Sequence, residues 1–158
     1  MPLLRRWCHA LDPQGVASCW AKVPRSQPGL ICDGCWELLA TDGTVAQRAE
    51  LAAEPDLPPA CRTRLLGDRS ALVRAEVAAR DDVPDGELEQ LAGDDDERVQ
   101  TIVARRTGLP FAVQTALLHS PHLTVLGALA ASCDPQIAAV LARHPDARIA
   151  RQATSRAG

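Results

Sequence analysis

Aromatic residues are almost missing from this chain outside one short stretch. Of 158 residues, one is Phe, none is Tyr and three are Trp. Lysine occurs once, at Lys22, so nearly every cation is arginine, a bias that GC-rich coding produces. Each shortage excludes something. Sandwich and barrel sheets draw on aromatic and β-branched residues, so the scarcity of rings argues against an all-β fold. No apolar run approaches the roughly 20 residues of a membrane span. MPLLRRWCHA lacks an apolar stretch long enough for a secretory leader. The expectation is a cytoplasmic protein without membrane contact. In that compartment six cysteines point to metal ligation or buried thiols rather than disulfides. The formal net charge of -3 offers no basic field for nucleic acid. The sequence has no glycine-rich phosphate loop, no G-x-S-x-G and no H-E-x-x-H. It reads as a protein that is not an enzyme, with no small-molecule substrate in view.

What is abundant is Ala, Leu and Val, in a chain that is 46% hydrophobic. Ala and Leu form helices well, and Ala lets helices approach closely. Twelve prolines rule out long uninterrupted helices. Many short helices are therefore expected.

Their arrangement shows as self-similarity. VRAEVAARDDVP at 73–84 aligns with VQTIVARRTGLP at 99–110, which places Val73 on Val99, Val77 on Val103, Arg80 on Arg106 and Pro84 on Pro110 at an offset of 26. Leu51 and Pro58 extend the pattern backwards, and Leu141-Ala142 continues it forwards after a step of 24. The units fall near 45–70, 71–96, 97–122 and 123–146, and a fifth starts at Ala147. Each begins with a helix of about eight residues whose apolar positions lie four apart, on one face. A turn with Asp, Gly and Pro follows, and proline then sits where a short second helix starts. One such unit cannot bury its apolar face alone, so the pattern predicts a stack, an all-α solenoid of short helices. The predicted organisation is an N-terminal module over 1–40 and a helical-repeat region over 41–158.

VRAEVAARDDVPDGELEQLAGDDDERV resembles the leucine-rich repeat variant family through Val73, Val77, Ala78, Pro84, Leu88, Leu91, Ala92 and Asp94. The resemblance covers about residues 45–150. It implies units of about 24 residues in which an α-helix alternates with a short 3₁₀ helix in a right-handed superhelix. Some members of that family carry an N-terminal four-cysteine iron–sulfur segment. There the Cys-x-x-Cys pair comes early, whereas in this chain it comes last.

Residues 7–36 hold all three tryptophans and four of the six cysteines, Cys8, Cys19, Cys32 and Cys35. In ICDGCWELLA a tight turn at Gly34 would aim two thiolates at one metal, and a helix would follow. The positive end of that helix favours ionised thiolates. Cys8 and Cys19 would complete a tetrahedral S₄ site. His9, next to Cys8, is a reserve ligand. A segment this short needs a staple, and the tryptophans would supply apolar shielding. Zn²⁺ suits the paired-loop spacing, and a [4Fe–4S] cluster is the alternative. Cys61 and Cys133 lie inside repeats and read as ordinary thiols, and His119, His122 and His144 read as solvated joint residues. The acid run from Asp81 to Glu97 reads as helix capping and a solvated face.

The reading is a non-enzymatic interaction protein, its metal module capping a repeat surface that binds a macromolecular partner, most naturally a protein. Leu38, Leu39 and Val45 are candidates to dock the module on the first repeat. A nucleic-acid-binding or regulatory zinc protein is the alternative, with Arg74, Arg80, Arg98, Arg105 and Arg106 as candidate partner-binding residues. An iron–sulfur redox or oxygen sensor is a third reading.

Overall fold

The computed structural model describes residues 33–157. Among them it contains ten α-helices and no strand: α1 (Asp33–Asp42), α2 (Val45–Ala52), α3 (Pro59–Leu66), α4 (Ala71–Ala78), α5 (Asp85–Ala92), α6 (Glu97–Ala104), α7 (Phe111–Leu117), α8 (Leu123–Ala130), α9 (Pro135–Leu141) and α10 (Ala147–Ala157). The helices α2, α4, α6, α8 and α10 start at the repeat positions read from the sequence. Cys8, Cys19 and Cys32 lie outside the described residues, as does nearly all of the 1–40 module.

The chain divides between Val77 and Ala78 into two compact units. In the first, α1 packs on α2 and α3, and α2 packs on α3. In the second, each helix touches the next in sequence. In addition α5 meets α7, α6 meets α8, and α8 meets α10. The contact between alternate helices is the physical expression of the repeat. Equivalent helices bury equivalent residues against the same neighbours.

The buried positions make this concrete. The third and seventh residues of α4, α6, α8 and α10 are core: Val73 and Val77, Val99 and Val103, Val125 and Leu129, Ile149 and Ala153. The trailing helices bury Leu65, Leu91, Leu117 and Leu141. Cys61 falls in register with Val113 and Ile137, and Cys133 with Leu57 and Val83. Both thiols are buried, acting as small apolar side chains.

Helix ends follow local chemistry. Thr44 and Gln47 form a reciprocal capping box at α2, with the Thr44 amide donating to Gln47 Oε1 at 2.9 Å. Asp96 and Asp134 accept the amides of Arg98 and Gln136, both at 2.9 Å, at the starts of α6 and α9. Pro58, Pro84 and Pro110 are themselves the cap residues of α3, α5 and α7, one position ahead of the first helical turn where proline was expected. Their locked φ suits an extended cap, and the missing N–H is one that a helix start leaves free.

Two expectations are corrected. The trailing helices are α-helices of seven or eight residues, not the 3₁₀ turns that the family resemblance implies. Two full turns allow the better-aligned i→i−4 bonds, whereas 3₁₀ runs rarely exceed three or four residues. Val45, a candidate to dock the N-terminal module, is 42% exposed at the first position of α2, whereas Trp36, Leu39 and Ala40 of α1 are buried. That α1 starts at Asp33, immediately after Cys32, also places Gly34 and Cys35 inside the helix rather than in a turn before it.

A polar device recurs at the joints. Two residues before the cap of α4, α6, α8 and α10, a side chain accepts the cap residue's amide. Asp68 takes Ser70 at 2.8 Å, Asp94 takes Asp96 at 2.9 Å, Ser120 takes His122 at 3.2 Å, and His144 Nδ1 takes Asp146 at 3.0 Å. The fourth residue of the preceding leading helix can then reach this joint. Arg48 pairs with Asp68 at 2.5 Å, and Ser120 donates to Gln100 Oε1 at 2.6 Å, both across twenty positions of sequence. Gln100 also donates to the Ala92 carbonyl at 3.2 Å, so its amide is used at both ends.

Truncating it leaves a buried hydroxyl and a buried carbonyl short of a partner. Gln100→Ala should lose about 2 kcal/mol. Gln100→Ala with Ser120→Ala should lose clearly less than the sum of the single changes, because the pair shares one bond. Urea unfolding of all four proteins checks this, and simple additivity would refute the coupling.

Candidate functional site

Of the four candidate metal ligands, Cys35 alone is described. It sits in the first turn of α1 and is 4% exposed, next to buried Trp36. Among the described residues, no group of three or more His, Cys, Asp or Glu side chains converges as a metal site. Burial pushes the Cys61 thiol above its ordinary pKa. Glu37 adds to the rise, and Arg64 partly offsets it. A neutral thiol is a poor ligand and a poor nucleophile, in keeping with a core role.

The five candidate arginines separate into two groups. Arg74 donates to the Asp68 carbonyl at 2.8 Å. Arg80 grips Asp82 through two bonds, at 2.7 and 3.0 Å, with 7% of its side chain exposed. Arg106 donates to the Ala78 and Arg80 carbonyls at 3.0 and 2.6 Å. These three guanidinium groups tie down the turns between helices. Arg98 and Arg105 are different. Both are exposed, and neither makes an ion pair among the described residues.

Arg98, Thr101, Ile102 and Arg105 follow the spacing of one helical face. With Asp96 and Glu97 they line an open concavity of about 430 Å³ along α6. The same outward positions on α8 are Thr124, Gly127, Ala128 and Ala131, and on α10 they are Arg148, Arg151, Gln152 and Ser155. The inward residues of the three helices share one register, and the helices pack side by side, so their outward residues share one surface. Arg148 and Arg151 were not among the residues singled out from the sequence. The signal was present, since Arg148 stands in Asp146-x-Arg148 as Arg98 stands in Asp96-x-Arg98. It lay in the last unit, where the step from the preceding one is 24 residues rather than 26.

The acid run proves to be largely local chemistry. Asp94 and Asp96 hold amides at the start of α6, and Asp85 and Glu87 lie in the first turn of α5. Hydrogen bonds from the Arg148 amide and side chain, joined by the Ile149 amide, hold the Asp146 carboxyl below its ordinary pKa against an opposing effect of desolvation. His119 and His122 do not form a chelating pair. His119 Nδ1 lies 3.0 Å from the Thr115 carbonyl, and His122 Nδ1 lies 3.7 Å from Glu97 Oε2.

No protein family, curated protein or solved structure matches the chain. No described helix is long and apolar enough to cross a membrane.

Proposed function

We propose that this chain is a non-enzymatic, cytoplasmic interaction protein. Its N-terminal segment, stapled by one metal through Cys8, Cys19, Cys32 and Cys35, caps a short-helix solenoid whose surface binds a macromolecular partner, a protein first of all. One observation carries the reading. Equivalent helices lie side by side and keep the same face outward, and on that face Arg98 and Arg105 serve no internal contact. Stacked repeats offer extended surfaces of this kind, and an open end of the stack needs a cover. The burial of Cys35 beside Trp36 suits a shielded thiolate ligand, and a four-thiolate set accepts Zn²⁺ or, alternatively, a [4Fe–4S] cluster.

Two measurements test it. Metal analysis with a visible spectrum should find one zinc per chain and no colour. Acid-labile sulfide with a brown band that bleaches in air would transfer the segment to the redox-sensor reading, and absence of any metal would remove the staple. A photo-cross-linking residue at position 98 or 105 should capture the same macromolecule in cells, and one at exposed position 89 should not. Equal capture at all three positions would sink the interaction surface.

A further inference from the structure

The outward face of α6, α8 and α10 carries arginines on its two outer helices, small residues on the middle one, and an open concavity along α6. Helices in contact lie about 8–10 Å apart, so α6 and α10 flank α8 across roughly twice that distance. The flanks carry Arg98 and Arg105 on one side and Arg148 and Arg151 on the other. Arg148 reaches Asp146 at 3.4 Å with 80% of its side chain exposed, and Arg151 Nε touches the Ala147 carbonyl of its own helix at 3.1 Å. All four are exposed. Between the flanks α8 presents Gly127, Ala128 and Ala131, none of which rises above the helix surface. Ile102, half-buried on the α6 wall, adds an apolar side chain.

Gly127 is the informative residue. It lies inside α8, where glycine weakens a helix relative to alanine. The fold does not require it, since a Cβ built there meets no atom within 4 Å. The space above it is open.

We propose that this face docks an acidic amphipathic helix of a partner protein. Its apolar stripe lies along the floor formed by Gly127, Ala128 and Ala131, and its carboxylates meet Arg98 and Arg105 on one wall and Arg148 and Arg151 on the other. The inference rests on the reading of the chain as an interaction protein and names the partner's chemistry. Charge complementarity supplies orientation and encounter rate, and the small-residue floor supplies close approach. A phosphate polymer fits less well. Asp96, Glu97 and Asp146 beside the arginines repel any polyanion, and a phosphate backbone, unlike an amphipathic helix, gains nothing from the small apolar floor.

The test uses the full chain and three fluorescent probes. The first is a peptide four helical turns long, with Leu at helical spacing and Glu elsewhere. The second is the same peptide with Lys for Glu, and the third is a short DNA duplex. The acidic peptide should bind with a Kd of about 10 μM or tighter at low salt. Arg98→Glu with Arg105→Glu should weaken it at least about tenfold, and Arg143→Glu, exposed but off this face, should leave it unchanged. Gly127→Leu should abolish binding without lowering the melting temperature. Tighter binding of the duplex, equal binding of the Lys peptide, or full binding by Gly127→Leu would overturn the proposal. If the acidic peptide fails while a cross-linker at 98 still captures a partner, this inference falls and the broader reading stands.

Discussion

Replacing Arg48 with Met should lower the stability of the chain by about 3 kcal/mol or more. Arg48 is 5% exposed on α2, yet it carries a full charge. Its guanidinium donates to Asp68 Oδ2 at 2.5 Å and Oδ1 at 3.0 Å, and also to the Gly43 carbonyl. Gly43 leaves room for this approach to the end of α1, since a Cβ there would collide with the Leu39 carbonyl. Removing one partner strands the other charge away from water, which costs more than the pair contributes when intact. Asp68→Ala should cost at least as much, because Asp68 also holds the Ser70 amide. Arg48→Met combined with Asp68→Leu should recover part of the loss, since no charge then remains unpaired. Urea unfolding followed by circular dichroism reads all four proteins. A single change costing less than about 1 kcal/mol would show that the pair is effectively solvated.

The same pair predicts an acid response. Burial alone would push the Asp68 carboxyl up. The hydrogen bonds from Arg48 and Ser70, with the charges of Arg48 and Arg69, outweigh it and hold the carboxyl below its ordinary value. A depressed carboxylate pKa contributes stability that is present above the unfolded value, near pH 4, and is lost as pH falls through the lower folded value. The melting temperature should therefore drop below about pH 4 more steeply in the parent than in Asp68→Asn. Equal slopes would refute the assignment.

Leu129→Ala is the second large effect, expected at about 3–4 kcal/mol. Leu129 is fully buried on α8, the helix that packs against α6, α7, α9 and α10. Truncation removes apolar contacts and leaves a cavity that four surrounding helices cannot all close around. Leu123→Ala on the same helix, at a position 48% exposed, should change stability by no more than about 0.5 kcal/mol. Denaturant unfolding of both variants makes the comparison, and comparable losses would mean that the register of α8 is misassigned.

Much of this architecture was legible in the residues. The 26-residue offset, with a last step of 24, located the starts of α2, α4, α6, α8 and α10, because burial repeats wherever identical packing repeats. The apolar spacing of Val73 and Val77, or Val99 and Val103, identified the core face. Cys61 and Cys133 read as thiols because they lie inside the repeats, and both are buried. Asp94 read as a capping residue, but the joint roles of Asp68 and Ser120 were not legible. A polar side chain in a loop has the same appearance whether it meets water or a neighbour twenty positions away.

Sequence by itself determined the local chemistry: helix lengths, capping residues, proline placement and inward register, each governed by interactions within a few residues of chain. Tertiary structure alone decided which arginines tie down turns between helices and which lie on an outward face. Arg80 and Arg106 are repeat-equivalent and look like a stripe, but they hold Asp82 and two backbone carbonyls. Arg98, Arg105, Arg148 and Arg151 share an outward face. A guanidinium reaches acceptors six or more ångströms from its own backbone, so its role depends on which turn the fold brings within that reach, and no local pattern records it.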